Sequence, residues 1–208
     1  MPVVGDGTWA ILGSSSAKGV GAQTLSWVQA LERTYAYRSV KFENLAEGGM
    51  TTYEALPTGT PTVAGRLPPS PWANVDKALS YSPKLLLVSY PTNDTAFGYT
   101  VDETVDNLLT IRSAARARGV AVIIVSTQPR NLNATQLARL VEIDGLVSQR
   151  IGPCFVAVRE ALAGPNSWIA PRYDAGDGIH VNDAGHAVIH DRIAAVINGG
   201  KCVTTTPP

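Results

Sequence analysis

Stretches that are apolar throughout, rather than on alternate residues, recur along this chain, and few folds accept that pattern. The runs over 9–12, 84–90 and 120–126 are near-continuous Leu, Ile, Val and Ala, with Trp9 opening the first. A strand covered on both faces reads this way, which is the condition of a parallel sheet. A further strand is predicted over 39–45, where apolar and polar residues alternate, and a fifth over 154–158. Helical spacing fills the intervals at 22–35, 72–81, 101–118, 134–151 and 182–197, with a short helix at 51–56. Strand and helix in alternation predict an α/β fold, a three-layer α/β/α sandwich around a central five-stranded parallel sheet. The Pro-, Gly- and Thr-rich segment 57–71 has no periodicity, and a loop that long inside a domain is functional or floppy. No repeat or second domain is visible: one domain is expected over 1–200, followed by a Thr/Pro-rich tail at 201–208 that reads like the start of a linker.

The first four predicted strands end in glycine or polar residues, and in open α/β sheets ligands sit at that carboxyl edge. The first strand runs into Gly13-Ser14-Ser15-Ser16-Ala17-Lys18-Gly19. A phosphate-binding loop would require Lys followed by Ser or Thr, but Gly19 follows Lys18. A dinucleotide fingerprint fails because Gly19-Val20-Gly21 is followed by Ala22, Gln23 and Thr24. A nucleophile elbow fails because Ala17 stands where its second glycine belongs. Taken alone, the turn is equally well read as a helix cap.

Charge and length exclude other classes. The 208 residues carry 17 basic and 17 acidic side chains with no basic run, so nucleic acid and anionic membrane surfaces are not expected partners. No stretch approaches the ~20 apolar residues that span a bilayer. Residues 1–6 lack the basic and apolar regions of a signal peptide, so the protein is either cytoplasmic or has lost a leader. Cys154 and Cys202 form an even pair, either a disulfide stapling the last helix to the sheet or two buried thiols. With the Thr/Pro tail, the pair favours a secreted or periplasmic protein.

Further along, Asp177 and His180 lie three residues apart in a glycine-containing loop just before the last helix. That spacing lets one short turn set the carboxylate against one imidazole nitrogen and leave the other nitrogen free. A serine hydroxyl becomes a nucleophile only when such a base takes its proton and a third group orients the base.

With these residues in view, the chain resembles the SGNH, or GDSL-like, hydrolase family over nearly its whole length. The first block, Gly-Asp-Ser-x-x-x-Gly, is matched by Gly13 to Gly19, and the glycine block by Asn44 to Thr52. The Gly-x-Asn-Asp block is matched by Pro91-Thr92-Asn93-Asp94 and the Asp-x-x-His block by Asp177-Gly178-Ile179-His180. The resemblance implies the flavodoxin-like SGNH fold and a serine esterase. Ser15 would be the nucleophile, His180 the base and Asp177 its orienting carboxylate. The Ser15 N–H, the Gly49 N–H and the Asn93 side chain would form the oxyanion hole. No metal or cofactor is required. Ser14 replaces the family's aspartate and Pro91 its glycine, and neither position is a triad member or donor. The expected substrate is a small-molecule or carbohydrate ester carrying a short acyl group. Longer acyl chains, or an inactive carbohydrate-binding homologue, are the alternatives. Asn93-Asp94-Thr95 and Asn133-Ala134-Thr135 are glycosylation sequons. A glycan on Asn93 would block the reaction, which favours a bacterial setting.

Other residues invite competing readings. His186 and His190 share a helix face but lack a third ligand, so solvated histidines are expected rather than a metal pair. Asp174 rivals Asp177 as the orienting carboxylate. Glu43, Glu47 and Asp94 could be glycosidase acids, but nothing fixes a pair at catalytic separation. Cys154 opens an apolar strand and makes a poor nucleophile. Trp72, Phe97, Tyr99 and Trp168 either line a substrate rim or simply pack.

Overall fold

A computed structural model describes residues 5–90 and 92–202. The chain opens with β1 (Gly7–Gly13), the one-turn helix α1 (Ser15–Lys18) and α2 (Trp27–Thr34). Next come β2 (Val40–Asn44), α3 (Val75–Leu79) and β3 (Leu85–Ser89). Then follow α4 (Thr92–Ala96), α5 (Val101–Arg116), β4 (Ala121–Val125) and α6 (Ala134–Ile151). The chain finishes with β5 (Phe155–Val156), α7 (Arg159–Leu162) and α8 (Asp183–Gly199). All strand pairs are parallel, in the order β2-β1-β3-β4-β5. The predicted α/β sandwich is thus present, with one hydrophobic core running from Trp9 to Cys202.

The apolar runs behave as their composition demands. Trp9 to Leu12 and Leu85 to Val88 are fully buried, because each side of these central strands meets helices. The strand order decides where a site can form. From β1 the chain turns to β2 on one side, whereas from β3 it proceeds to β4 on the other. Connections that leave neighbouring strands in opposite directions open a crevice at their carboxyl ends. Gly13 faces Ser89 in register there, so the turn after β1 and α4 after β3 share one edge.

Helix boundaries differ from the periodicity. α2 begins at Trp27 rather than near residue 22, because Asp183 accepts the N–H groups of Gln23, Thr24 and Leu25 and holds them in a loop. Ser26 then starts the helix with a capping box to Gln29. α3 is also shorter than 72–81, starting where the Asn74 side chain accepts the Lys77 N–H. Segment 51–56 forms only a 3-10 turn over Tyr53–Ala55. β5 is cut to two residues because Pro153 and Cys154 sit in a 3-10 turn before it. The polar cluster after β3 is a helix, α4, rather than a plain turn.

The loop 57–71 has neither helix nor strand, yet it is fastened down. Arg66 makes paired hydrogen bonds to Glu103 at 2.9 and 3.0 Å and lies 3.8 Å from the centre of the Tyr99 ring. Cys154 and Cys202 form a disulfide with Cα atoms 4.7 Å apart, joining the end of α8 to the start of β5. Cys154 is therefore no thiol nucleophile. Of the proposed tail, Lys201 and Cys202 are described, whereas 203–208 and Pro91 lie outside the described residues.

Candidate active site

The turn after β1 carries Ser15. Ser14, in the place of the family's aspartate, is buried and extended; its N–H donates to the Ser89 carbonyl at 3.2 Å, tying the turn to β3. Ser15 is the first residue of α1, so its own N–H has no acceptor within the helix. Its hydroxyl lies 2.9 Å from His180 Nε2, across 165 residues of sequence. On the other side of the ring, His180 Nδ1 is 2.6 Å from Asp177 Oδ2. A carboxylate only accepts, so Nδ1 carries the proton and Nε2 is left to accept from the Ser15 hydroxyl.

Asp177 is held in place by more than the ring. Its Oδ1 accepts the N–H groups of Ile179 and His180, each at 2.8 Å. Burial alone would raise its pKa, but the His180 and Ile179 hydrogen bonds outweigh that and hold the carboxyl down at about 2. Asp174, the rival carboxylate, instead accepts the Gly176 and Gly178 N–H groups and shapes the loop from inside. Neighbouring elements fix that loop. The Asn131 N–H donates to the Gly178 carbonyl at 2.8 Å, and Gln128 Nε2 donates to the Ile179 carbonyl at 2.7 Å. Gly21 packs so closely that a Cβ there would lie 2.3 Å from the Val181 carbonyl oxygen and 3.0 Å from His180 Cβ.

The glycine loop after β2 is brought to the same edge. The Glu47 N–H donates to the Gly13 carbonyl, Asn44 Nδ2 donates to the Ala17 carbonyl, and Lys18 pairs with Glu47 at 2.6 Å. Gly49 adopts φ +82°, which only glycine enters without strain, and no acceptor among the described residues takes its N–H. Asn93 on α4 is buried against this loop, its Nδ2 donating to the Met50 carbonyl at 2.9 Å. Asp94, fully buried beside it, accepts the Thr52 N–H and hydroxyl, while Thr52 Oγ1 accepts from Asn107 Nδ2 at 2.9 Å. Burial raises the Asp94 carboxyl to about 7, against the Thr52 hydrogen bonds that lower it.

Ser15, His180 and Asp177 thus form one chain of hydrogen bonds, with Gly49 and Asn93 linked through Met50 at the same sheet edge. The other candidates are engaged elsewhere. Glu43 pairs with Lys41, Glu47 with Lys18, and Asp94 with Thr52. His186 is not solvated, as its helix position implied, but fully buried. Its Nδ1 accepts the Trp27 N–H and its Nε2 faces the Val20 carbonyl, and burial pushes its imidazole down. His190 lies between Thr34 and Asp191, and no group of three or more His, Cys, Asp or Glu among the described residues could hold a metal. Trp72, Phe97 and Trp168 are exposed, whereas Tyr99 packs under Arg66.

One residue at the site carries no motif. Arg130, four residues beyond Ser126 in the loop after β4, donates from Nη1 to Asn93 Oδ1 at 3.2 Å. Its only signal in the sequence is a place in a polar cluster at a strand end.

Comparison with known proteins bears on the fold and the family. An acetylxylan esterase from Geobacillus stearothermophilus, solved as a catalytic mutant, is 14% identical with a TM-score of 0.73, over 98% of this chain and 99% of that one. The psychrotrophic esterase EstA from Pseudoalteromonas sp. is 20% identical with a TM-score of 0.66, over 93% of this chain and 98% of that one. TesA is 21% identical with a TM-score of 0.69, over 92% and 98%. At these identities the likeness establishes the fold. No curated protein matches the chain by sequence. The GDSL-like Lipase/Acylhydrolase family model matches residues 11–188, which take in all four strand-end blocks, and the chain belongs to that family of hydrolases.

Proposed function

We propose that the protein is a serine-dependent carboxylic ester hydrolase acting on short acyl esters, acetyl foremost, of a small molecule or carbohydrate. The observation that carries the proposal is the Ser15–His180–Asp177 chain at 2.9 and 2.6 Å. His180 Nε2 takes the Ser15 proton as Oγ bonds to the ester carbonyl carbon, and the C=O pair moves onto oxygen. Asp177 holds the ring and stabilises its charged form. The Ser15 N–H, the Gly49 N–H and one Asn93 amide N–H meet the oxyanion. As the intermediate collapses, the alkoxide leaves with the proton from His180. Water, activated by the same imidazole, then releases the acid and restores Ser15. Neither a metal nor an organic cofactor takes part.

The preference for a short acyl group rests on polar surroundings. Arg130 stands against Asn93, so a long alkyl chain laid there would displace solvent from a charged and an amide group. The acetylxylan esterase of similar fold points the same way. The disulfide suits an oxidising compartment, secreted or periplasmic.

The experiment is fluorophosphonate labelling with peptide mapping, followed by hydrolysis of nitrophenyl acetate and octanoate. A single adduct on Ser15 that disappears in His180→Ala, with acetate the better substrate, is expected. An adduct on Ser14 or Ser16, or sugar binding without turnover, would overturn the reading, and faster turnover of octanoate would replace the acetyl assignment with a lipase-like one.

A further inference from the structure

Asn93 makes two hydrogen bonds whose polarities differ. The Met50 carbonyl can only accept, so it must face the amide nitrogen; the Arg130 guanidinium can only donate, so it must face the amide oxygen. Together they fix the side-chain amide at both ends and leave a single N–H uncommitted. Arg130 is partly buried, and desolvation pushes its pKa down while the nearby Asp177 carboxylate of the triad loop pushes it up. An arginine in such a place remains charged.

We infer that Arg130 is the positioning residue of the oxyanion hole: its bond to Asn93 Oδ1 locks the amide plane and polarises the remaining N–H toward the developing oxyanion. This rests on the esterase reading and deepens it. A cation on the carbonyl end of an amide withdraws electron density from its nitrogen and strengthens the N–H as a donor. A locked amide also pays no reorganisation when charge appears. Both effects belong to the transition state, where the carbonyl oxygen carries charge, and hardly touch the bound ester.

The inference is tested with a double-mutant cycle on nitrophenyl acetate hydrolysis, using Arg130→Gln, Arg130→Lys, Asn93→Ala and Arg130→Gln with Asn93→Ala. Thermal melts check that each chain folds. Arg130→Gln is expected to lower kcat by about 10- to 30-fold with KM within about twofold, less than the loss from deleting the Asn93 donor itself. Arg130→Lys should recover part of that, because one charged donor remains without the planar fork. In the Asn93→Ala background, Arg130→Gln should cost less than about threefold, because the group through which it acts is gone. Equal losses in both backgrounds, or a change confined to KM, would overturn the inference; the second outcome would make Arg130 a substrate contact. If Arg130→Gln does not fold, Arg130→Lys, made alone and together with Asn93→Ala, decides by the same criterion. Wild-type protein that neither hydrolyses esters nor labels at Ser15 would sink the esterase reading and this inference with it. Active wild type with full activity in Arg130→Gln would sink this inference alone.

Discussion

The Asp94 carboxylate accepts both the backbone N–H and the hydroxyl of Thr52, across 42 residues and without access to solvent. Asn93, the preceding residue, holds the Met50 carbonyl. Two adjacent side chains of α4 therefore grip alternate residues of the glycine loop, and that grip sets where Gly49 stands.

A dependence of stability on pH follows. The folded chain keeps the Asp94 carboxyl at about 7, whereas in the unfolded chain it returns to its ordinary 3.8. The folded state thus binds the extra proton between those values, and this group's contribution to stability falls as pH rises from about 4 to about 7, levelling off on either side. The difference corresponds to about 4 kcal/mol. Asp94→Asn, which still offers Thr52 an acceptor, should flatten that slope in urea unfolding followed from pH 4 to 8. Wild-type and variant curves that run parallel would refute it.

Asp177 and Asp174 should separate in activity. Asp177→Asn leaves the imidazole without its tautomer-fixing acceptor and should lower kcat on the order of 10³- to 10⁴-fold, as in other serine triads. Asp174→Asn touches only the Gly176 and Gly178 N–H groups and should reduce kcat by less than about tenfold through loop shape. Steady-state ester hydrolysis measures both, and comparable losses would make Asp174 the orienting carboxylate. With its carboxyl held near 2, Asp177 stays ionised at every pH above about 3.

Gly21→Ala is expected to damage the site from behind. A methyl group there collides with the Val181 carbonyl and His180 Cβ, and φ at +95° disfavours any side chain. The loop bearing His180 must shift, with a stability loss of about 2 kcal/mol or more. Chemical denaturation and the rate of fluorophosphonate labelling should both fall. Unchanged labelling in a folded variant would mean that the loop is not set by this contact.

The disulfide should matter for stability and not for turnover. Cys154 and Cys202 are 48 residues apart, and a cross-link of that span stabilises by about 2–4 kcal/mol by restricting the unfolded chain. Cys154 precedes the edge strand β5, from which β4 and β3 separate the β1 strand that leads to Ser15. Replacing both cysteines with serine should lower the melting temperature while leaving kcat at 25 °C within about twofold, since both are buried beside β5 and neither contacts the triad. A large loss of kcat in the folded variant would show that the bridge shapes the site.

Much of this was legible in the chain. Runs such as 84–90 are apolar on both faces, and burial on both faces is a local property that composition reports directly. The strand-end blocks and the three-residue spacing of Asp177 and His180 are local as well. Tertiary structure decided the rest. Periodicity could not say that β1 lies beside β3, yet that adjacency brings Ser15 and Asn93 together. The start of α2 depended on Asp183, the burial of His186 on Trp27 and Val20, and the pairing of Cys154 on where α8 ends. Arg130 became a site residue only through a bond across 37 residues. A spacing pattern records what one segment presents to its immediate surroundings; which distant segment supplies those surroundings is set by packing of the whole chain, and no single stretch encodes it.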